Sequence, residues 1–122
     1  MSDYNLTAAE AKLADILWHV APVTSPVLVD IAQEKLGWKK STTYTVLKRL
    51  CDKGIFTNTN AEVATALTRE ELLARQSHQF VDKSFSGSLP GFIAAFVGGA
   101  KLSSKECSEL VQLIEAYQEG QT

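Results

Sequence analysis

Apolar residues recur along the first third of the chain at the spacing of amphipathic helices. Leucine, isoleucine and valine return every third or fourth position after Thr7 and Glu10, which form a capping-box pattern, so a helix is predicted over residues 8–19. A second apolar stripe begins behind Ser25 and stops at Gly37, residue types that favour the start and the end of a helix. The chain therefore opens with two amphipathic helices.

A third helix and a hairpin follow. The turn "GWKK" leads into a helical pattern over residues 41–53, which Gly54 closes. The segment "IFTNTNAEVATAL" then places β-branched residues on both sides of a polar tip, which is typical of a two-stranded hairpin. Three helices with a short turn between the second and the third, followed by a hairpin, predict a mainly α-helical fold that begins with a winged helix-turn-helix.

The helix over residues 41–53 has two different faces. One face should pack on the first two helices through Thr43, Val46, Leu47 and Leu50. The opposite arc carries hydroxyl groups and cations, at Ser41, Thr42, Tyr44, Thr45, Lys48 and Arg49. Short hydroxyl side chains approach base edges closely, and arginine binds guanine with two hydrogen bonds. Lys39 and Lys40 precede the helix and suit phosphate groups. These eight polar residues form the candidate DNA-binding set.

The charge of the chain is unevenly distributed. The formal net charge is −2, which argues against a protein that coats nucleic acid without regard to sequence. Residues 39–53 nevertheless carry a net +4, with Asp52 as their one acid, and the remainder sums to −6. A positive field is thus confined to the stretch that holds the third helix.

The remaining residues predict a helical dimerisation domain. Thr68 and Glu71 repeat the capping-box pattern, and the segment over residues 89–97 is apolar on every side. We expect a DNA-binding domain over residues 1–67 and a dimerisation domain of three helices over residues 68–122. A homodimer with two-fold symmetry would bury the apolar surface and would match a palindromic operator in double-stranded DNA. The expected interface residues are Phe80, Phe92, Ile93, Phe96, Val97, Leu110, Val111 and Ile114.

Other kinds of chemistry have little support in the sequence. Cys51 and Cys107 lie far apart, outside any zinc or redox spacing, and His19 and His78 are isolated, so we expect no metal and no cofactor. No nucleophile elbow, phosphate loop or zinc-protease motif occurs, which argues against an enzyme. No apolar run approaches the roughly 18 residues of a membrane span, and the first residues lack a signal sequence, so a cytoplasmic protein is expected.

Several segments resemble the penicillinase and methicillin-resistance repressor family, which also includes copper-responsive repressors. They are "LTAAEAKLADILW", "STTYTVLKRLCDKGIF", "FIAAFV" and "KLSSKECSELVQLIEA", and the likeness extends over residues 6–117. The resemblance implies a homodimeric repressor whose winged helix binds an inverted-repeat operator and whose C-terminal lobe dimerises. It places DNA contacts at Ser41, Thr42, Thr45, Lys48 and Arg49. The assignment of Tyr44 rests on its helical position alone.

The chain also departs from the pattern of this family. The family's wing usually carries basic residues, whereas no lysine or arginine lies between Ile55 and Thr68 here, and Glu62 stands near the tip. The paired Cys-x-Cys motifs of copper-responsive members are absent, which argues against copper sensing. Antibiotic-responsive members are cleaved at an Asn-Phe bond that corresponds here to Ala95-Phe96. The inducing signal, and any regulatory protease, are therefore open.

Two functions fit these features. The first is a sequence-specific transcriptional repressor, which the basic stretch over residues 39–53 and the polar helix face favour. The second is a winged-helix protein-interaction module with weak or no DNA binding, which the uncharged wing and the acidic remainder favour.

Overall fold

The structure is a computed structural model that describes residues 3–121. Within these residues lie six helices and a three-stranded antiparallel sheet, which confirms the mainly α-helical fold with a small hairpin. The contacts divide the chain into two compact units, one that ends at Phe80 and one that begins at Val81.

The first unit begins with three helices whose ends follow from local sequence. They are α1 (Ala8–Val20), α2 (Ser25–Leu36) and α3 (Lys40–Asp52). At the start of α1 the Glu10 N–H donates to Thr7 Oγ1 at 3.2 Å and the Thr7 N–H donates to Glu10 Oε1 at 2.9 Å, as the capping-box pattern predicts. Gly37 ends α2 in the left-handed conformation, with a φ of 69°. The three predicted helices are confirmed.

A small sheet completes the winged helix. Its strands are β1 (Val23–Thr24), β2 (Phe56–Thr59) and β3 (Glu62–Thr65), in the order β1-β3-β2. Strands β2 and β3 form the predicted hairpin, in which Phe56 pairs with Thr65 and Thr59 with Glu62. Strand β1 was not predicted, because two residues are too short to show an alternating pattern. It forms because the chain before α2 runs alongside β3, where Val23 pairs with Val63.

Every element of the winged helix except β1 contributes to one buried core. Helix α3 buries the four residues that its pattern predicts, since Thr43 and Leu50 are fully buried and Val46 and Leu47 nearly so. The rest of the core comes from the other two helices, the hairpin and the segment that follows it: Leu13, Ala14, Leu17, Leu28, Ala32, Ile55, Phe56, Val63, Leu67 and Leu72. The core therefore orients α3 with its polar face outward.

Helix α4 (Arg69–Phe85) crosses the boundary between the two units. It starts at the predicted capping box, where the Glu71 N–H donates to Thr68 Oγ1 at 3.1 Å. Its first turns belong to the winged helix, because Leu72 is buried in that core. The compact division consequently lies inside α4, whereas the expected domain boundary lies just before that helix.

The second unit contains the end of α4 and the helices α5 (Leu89–Gly99) and α6 (Ser104–Gln121). Ser88 caps α5 by accepting from the Gly91 N–H at 2.9 Å. Phe92 contacts Phe85 and Phe96, with ring centroids 5.5 and 6.1 Å apart. Over residues 3–121 no helix has both the length and the hydropathy that crossing a membrane requires.

Candidate nucleic-acid interface

The polar face of α3 is exposed over its whole length. Ser41, Thr42, Thr45, Lys48 and Arg49 are all exposed, on the side opposite the buried residues of the same helix. The structure therefore brings five of the eight candidate residues onto one continuous surface. Because α3 is held by a complete core, this surface is presented on a rigid support, as recognition of base edges requires.

Tyr44 occupies a different position from the other candidates. It is half-buried and packs against the core, and its hydroxyl lies 3.5 Å from the buried Ser25 Oγ. Lys40 Nζ lies 5.9 Å from the centroid of the Tyr44 ring. Tyr44 thus joins α3 to the start of α2 and lies at the border of the polar face. Its place one turn before Leu47, a core residue, is the sequence signal for this partial burial.

The N-terminus of α3 has the features of an anion-binding site. Lys39 is its N-cap and makes no side-chain capping hydrogen bond, and the first turn contains no acid. The Thr43 hydroxyl donates back to the Lys39 carbonyl at 3.4 Å. The N–H groups of the first turn have no partner within the helix, and they adjoin the exposed side chains of Lys39 and Lys40. Backbone and side-chain donors together suit a phosphate group.

Two of the cations in the basic stretch are already paired. Lys48 Nζ lies 3.0 Å from Asp52 Oδ2 in an exposed pair one helical turn apart. Lys53 is directed inward and donates to Glu10 Oε1 and to the Asn5 carbonyl, both at 2.6 Å. The charge of Lys53 is therefore offset by Glu10, and the positive field on α3 is weaker than the net charge of residues 39–53 suggests.

The Glu10 carboxylate in this pair is a buried charge with only 2% of the residue exposed. Burial alone would raise the pKa of Glu10, but the hydrogen bonds from Lys53 and Thr7 more than offset it and hold that pKa below its ordinary value. Sequence patterns did not reveal this pair, because its partners are 43 positions apart in the chain. Its role is to fix the end of α3 against the start of α1.

The wing is short and carries no cation. The residues at its tip, Asn60 and Ala61, have φ values of 52° and 65°, which is the pattern of a type I′ turn. The Ala61 carbonyl accepts from the Ser25 N–H at 2.8 Å, so the tip is fixed to the start of α2. Thr57, Asn58 and Glu62 are exposed along the two strands. The wing can donate hydrogen bonds, but it adds no positive charge to the surface of α3.

The expected dimerisation residues lie in both units. Phe80 is 52% exposed on the part of α4 that belongs to the first unit. In the second unit α5 and α6 form a groove of about 370 Å³, lined by Phe92, Ile93, Phe96, Val97, Leu102, Glu106, Glu109, Leu110 and Leu113. Val111 and Ile114 lie on the exposed surface of α6, outside this groove. Leu102, between α5 and α6, and Leu113 on α6 also line the groove and were not in the expected set, because the sequence analysis followed a single apolar stripe along each helix.

Other reactive side chains are dispersed. His19 Nδ1 lies 2.7 Å from the Asp15 carbonyl, within its own helix. Burial and the neighbouring Asp52 raise the pKa of the Cys51 thiol, and Cys107 is exposed on α6. Among the residues that the structure describes, no three His, Cys, Asp or Glu side chains are grouped so that they could hold a metal ion.

The buried three-helix core, the short turn between α2 and α3 and the hairpin define a winged helix-turn-helix protein. The sequence profile of the penicillinase repressor family matches residues 6–116, and the chain belongs to that family. The resemblance seen in the sequence is thereby confirmed.

Three relatives show how distant the similarity is. The penicillinase repressor of Bacillus licheniformis is 22% identical over 116 residues, which cover 92% of this chain and 91% of that protein. The methicillin resistance regulatory protein MecI of Staphylococcus aureus strain N315 is 22% identical over 115 residues, covering 91% and 94%. An uncharacterized 16.5 kDa protein of Latilactobacillus sakei is 30% identical over 116 residues, covering 91% and 79%.

Proposed function

We propose that this protein is a transcriptional repressor that binds double-stranded DNA as a homodimer, with one α3 helix in the major groove of each half of an inverted-repeat operator. The observation that carries the proposal is the polarity of α3, whose hydroxyl and cationic side chains are exposed opposite a fully packed face. Membership in a family that includes a penicillinase repressor supports it.

The residues of α3 divide into two roles. Lys39, Lys40 and the free N–H groups of the first turn bind phosphates and set the position of the helix on the duplex. Thr45 and Arg49 lie further along the exposed face and contact base edges, where they discriminate between sequences. Lys48 serves either role once DNA displaces Asp52, because the Lys48 pair is exposed and therefore weak.

The second unit supplies the dimer interface in this proposal. Its groove and the adjoining surface of α6 expose large apolar residues, among them Phe96, Leu113 and Ile114, which are 54%, 66% and 60% exposed. An apolar surface of this kind favours a protein partner over water. A second copy of the same chain is the simplest partner, since a two-fold dimer covers the same surface on both copies and pairs the two α3 helices with the two halves of a palindrome.

Induction in this proposal does not use cleavage at the bond that the antibiotic-responsive members cut. Ala95 and Phe96 lie within α5 and both are exposed. Alanine replaces the asparagine of the cleaved pair, so a protease selective for asparagine would not act at this bond. The proposal therefore leaves the signal that releases the operator open.

A second candidate function follows from the wing and from Lys53. With Glu62 near the wing tip and Lys53 paired with the buried Glu10, the surface around α3 is less positive than its sequence suggests. The winged helix would then be a protein-interaction module with weak or no DNA binding, and the face of α3 would contact a protein.

Selection from a library of random duplexes separates the two functions. The repressor proposal expects enrichment of one inverted repeat by the purified wild type. In fluorescence anisotropy, Arg49→Ala should weaken binding to that sequence by about tenfold or more, since one bidentate contact to a base contributes about 1–3 kcal/mol. Lys83→Ala, which removes an exposed cation from the second unit, is the charge-matched control and should change little. No enriched sequence, together with an unchanged Arg49→Ala, would favour the interaction module.

The division of roles along α3 has its own test. Thr45→Ala should alter the preference among operator variants by about 1 kcal/mol or more, because it removes a contact to a base. Lys39→Ala should instead weaken binding to all duplexes equally and reduce the salt dependence by about one phosphate contact. If Thr45→Ala weakened the affinity for all sequences equally, the assignment of Thr45 to a base contact would be wrong.

A further inference from the structure

Residues 3–6, here called the N-terminal strap, are tied to α4 through Tyr4. Gln76 Nε2 donates to the Tyr4 carbonyl at 2.8 Å, and the Tyr4 N–H donates to Gln79 Oε1 at 3.3 Å. Arg75 Nη1 donates to the Tyr4 hydroxyl at 2.8 Å, and the guanidinium carbon of Arg75 lies 5.4 Å from the centroid of the Tyr4 ring. Helix α4 therefore holds the backbone and the side chain of one residue at the same time.

The strap is also tied to the end of α3. The Asn5 carbonyl accepts from Lys53 Nζ at 2.6 Å, and the same ammonium group donates to the buried Glu10 carboxylate. Lys53 is the C-cap residue of α3. Tyr4 and Leu6, on either side of Asn5, pack against the hydrophobic core. Four consecutive residues thus connect the last turn of α3 with the middle of α4.

This connection matters because of where α4 leads. Residues up to Phe80 belong to the first unit, and the same helix continues to Phe85 in the second. Leu72, near the start of α4, is the residue of this helix that is buried in the core. The hydrogen bonds that join Tyr4 to Arg75, Gln76 and Gln79 lie one to two helical turns beyond Leu72 and restrain that part of α4.

We propose that the N-terminal strap fixes the direction in which α4 leaves the winged helix, and thereby sets the spacing of operator half-sites that the dimer accepts. The inference rests on the proposed function. In a two-fold dimer the distance between the two α3 helices depends on how each winged helix is held on the helix that leads to the interface. A fixed direction restricts the dimer to one spacing. Tyr4, Gln76 and Gln79 are positioning residues, since they act without touching DNA.

Operators whose two half-sites are moved apart one base pair at a time test this proposal. By anisotropy the wild type should prefer one spacing by about tenfold or more over its neighbours, because the two α3 helices then reach both half-sites without distortion. Tyr4→Ala should reduce that preference to about threefold or less while its affinity for an isolated half-site stays within about twofold. Gln76→Ala, which loosens the strap from the side of α4, should flatten the spacing profile in the same way.

Two control variants separate positioning from folding. Tyr4→Phe retains the ring and both backbone hydrogen bonds and loses only the bond from Arg75, so it should keep most of the spacing preference. His78→Ala changes an exposed residue of the same helix and should leave the spacing profile unchanged. Circular dichroism of each variant confirms that helix content is retained.

Hydrogen exchange without DNA provides a second measurement. Amides of residues 70–80 should exchange about fivefold faster in Tyr4→Ala than in the wild type or in Tyr4→Phe, because the ring that packs on the core and over Arg75 is lost and only the two backbone hydrogen bonds still hold the strap. Unchanged exchange would overturn the proposal. A wild-type spacing preference that Tyr4→Ala leaves intact would overturn the role of the strap alone. A wild type that binds duplexes without any spacing preference would instead count against the dimeric repressor, and against the spacing role with it.

Discussion

The two units of this protein use similar apolar residues in opposite ways. In the first unit the helices and the hairpin surround a common core, and Phe56 is 1% exposed. In the second unit no residue of α5 is buried, every side chain of α6 that the structure describes is exposed, and Phe96 is 54% exposed. The first unit encloses its own core, whereas the second leaves large apolar side chains exposed.

The difference follows from how many elements surround each apolar residue. In the first unit Phe56, on β2, belongs to a core to which all three of the first helices contribute, and its ring contacts Trp18 with centroids 5.6 Å apart. In the second unit α5 and α6 have the end of α4 as their one further element within the described residues. So few elements cannot enclose a core, because a helix buries only the side that another element covers.

The largest effect is expected in the core of the first unit. Phe56→Ala removes a fully buried ring and should lower the free energy of unfolding by about 3–5 kcal/mol. Urea denaturation followed by tryptophan fluorescence measures it, because Trp18 and Trp38 both belong to the first unit. The matched variant Phe96→Ala should leave this transition within about 1 kcal/mol of the wild type, as its ring is half-exposed. Equal losses in the free energy of unfolding for the two variants would contradict the difference between the two units.

The next effect concerns the exposed surface of the second unit. Phe96→Glu places a charge on the proposed interface and should raise the dissociation constant of the dimer by about a hundredfold, which corresponds to about 3 kcal/mol. Sedimentation equilibrium measures the change. Val27→Glu, which alters a residue of α2 that is 47% exposed, is the control and should leave the dimer intact. A wild type that sediments as a monomer would contradict the assignment of the interface.

The charge pairs of the two units offer a third contrast. The Lys53–Glu10 pair is mostly buried, whereas Lys105 and Glu109 lie 3.9 Å apart in solvent. Glu10→Gln should cost about 2 kcal/mol at neutral pH, since a buried charged hydrogen bond is lost. For Glu109→Gln the free energy of unfolding should stay within about 0.5 kcal/mol of the wild type. Urea titrations measure the free energy of unfolding of both variants. An equal loss in the two would contradict a stabilising role of the buried Glu10 charge.

The same pair predicts a dependence on pH. The pKa of Glu10 is lowered in the folded protein, so its contribution to stability is complete above the ordinary glutamate pKa of about 4.3. That contribution is lost as the pH falls through the lowered pKa of the folded state. In Glu10→Gln this part of the acid sensitivity should disappear, which urea titrations at pH 7 and at low pH would show.

The smallest effect lies in the wing. Ala61 has a φ of 65°, a conformation that costs a residue with a Cβ about 1 kcal/mol more than glycine. Ala61→Gly should therefore stabilise the first unit by up to about 1 kcal/mol and raise its melting temperature. Ala64→Gly, in the extended part of β3, should instead destabilise the first unit. A loss of stability in Ala61→Gly would contradict the strained turn.

The sequence by itself determined the local elements of this protein. The capping pairs at Thr7 and Thr68 and the stop at Gly37 marked helix ends correctly, because each acts within one turn of its own helix. The two faces of α3 also followed from sequence, since the period of a helix fixes which side chains share a side. These features depend on neighbours a few positions away, which a sequence pattern contains.

Only the tertiary structure decided which distant groups meet. It paired Lys53 of the basic stretch with Glu10, placed Tyr44 against Ser25, and joined Tyr4 to α4. It also added β1 to the hairpin. This strand has only two residues, which are too few to show an alternating pattern of apolar and polar positions. Contacts between residues 19 to 75 positions apart depend on how the helices cross, and that is set by packing of the whole core.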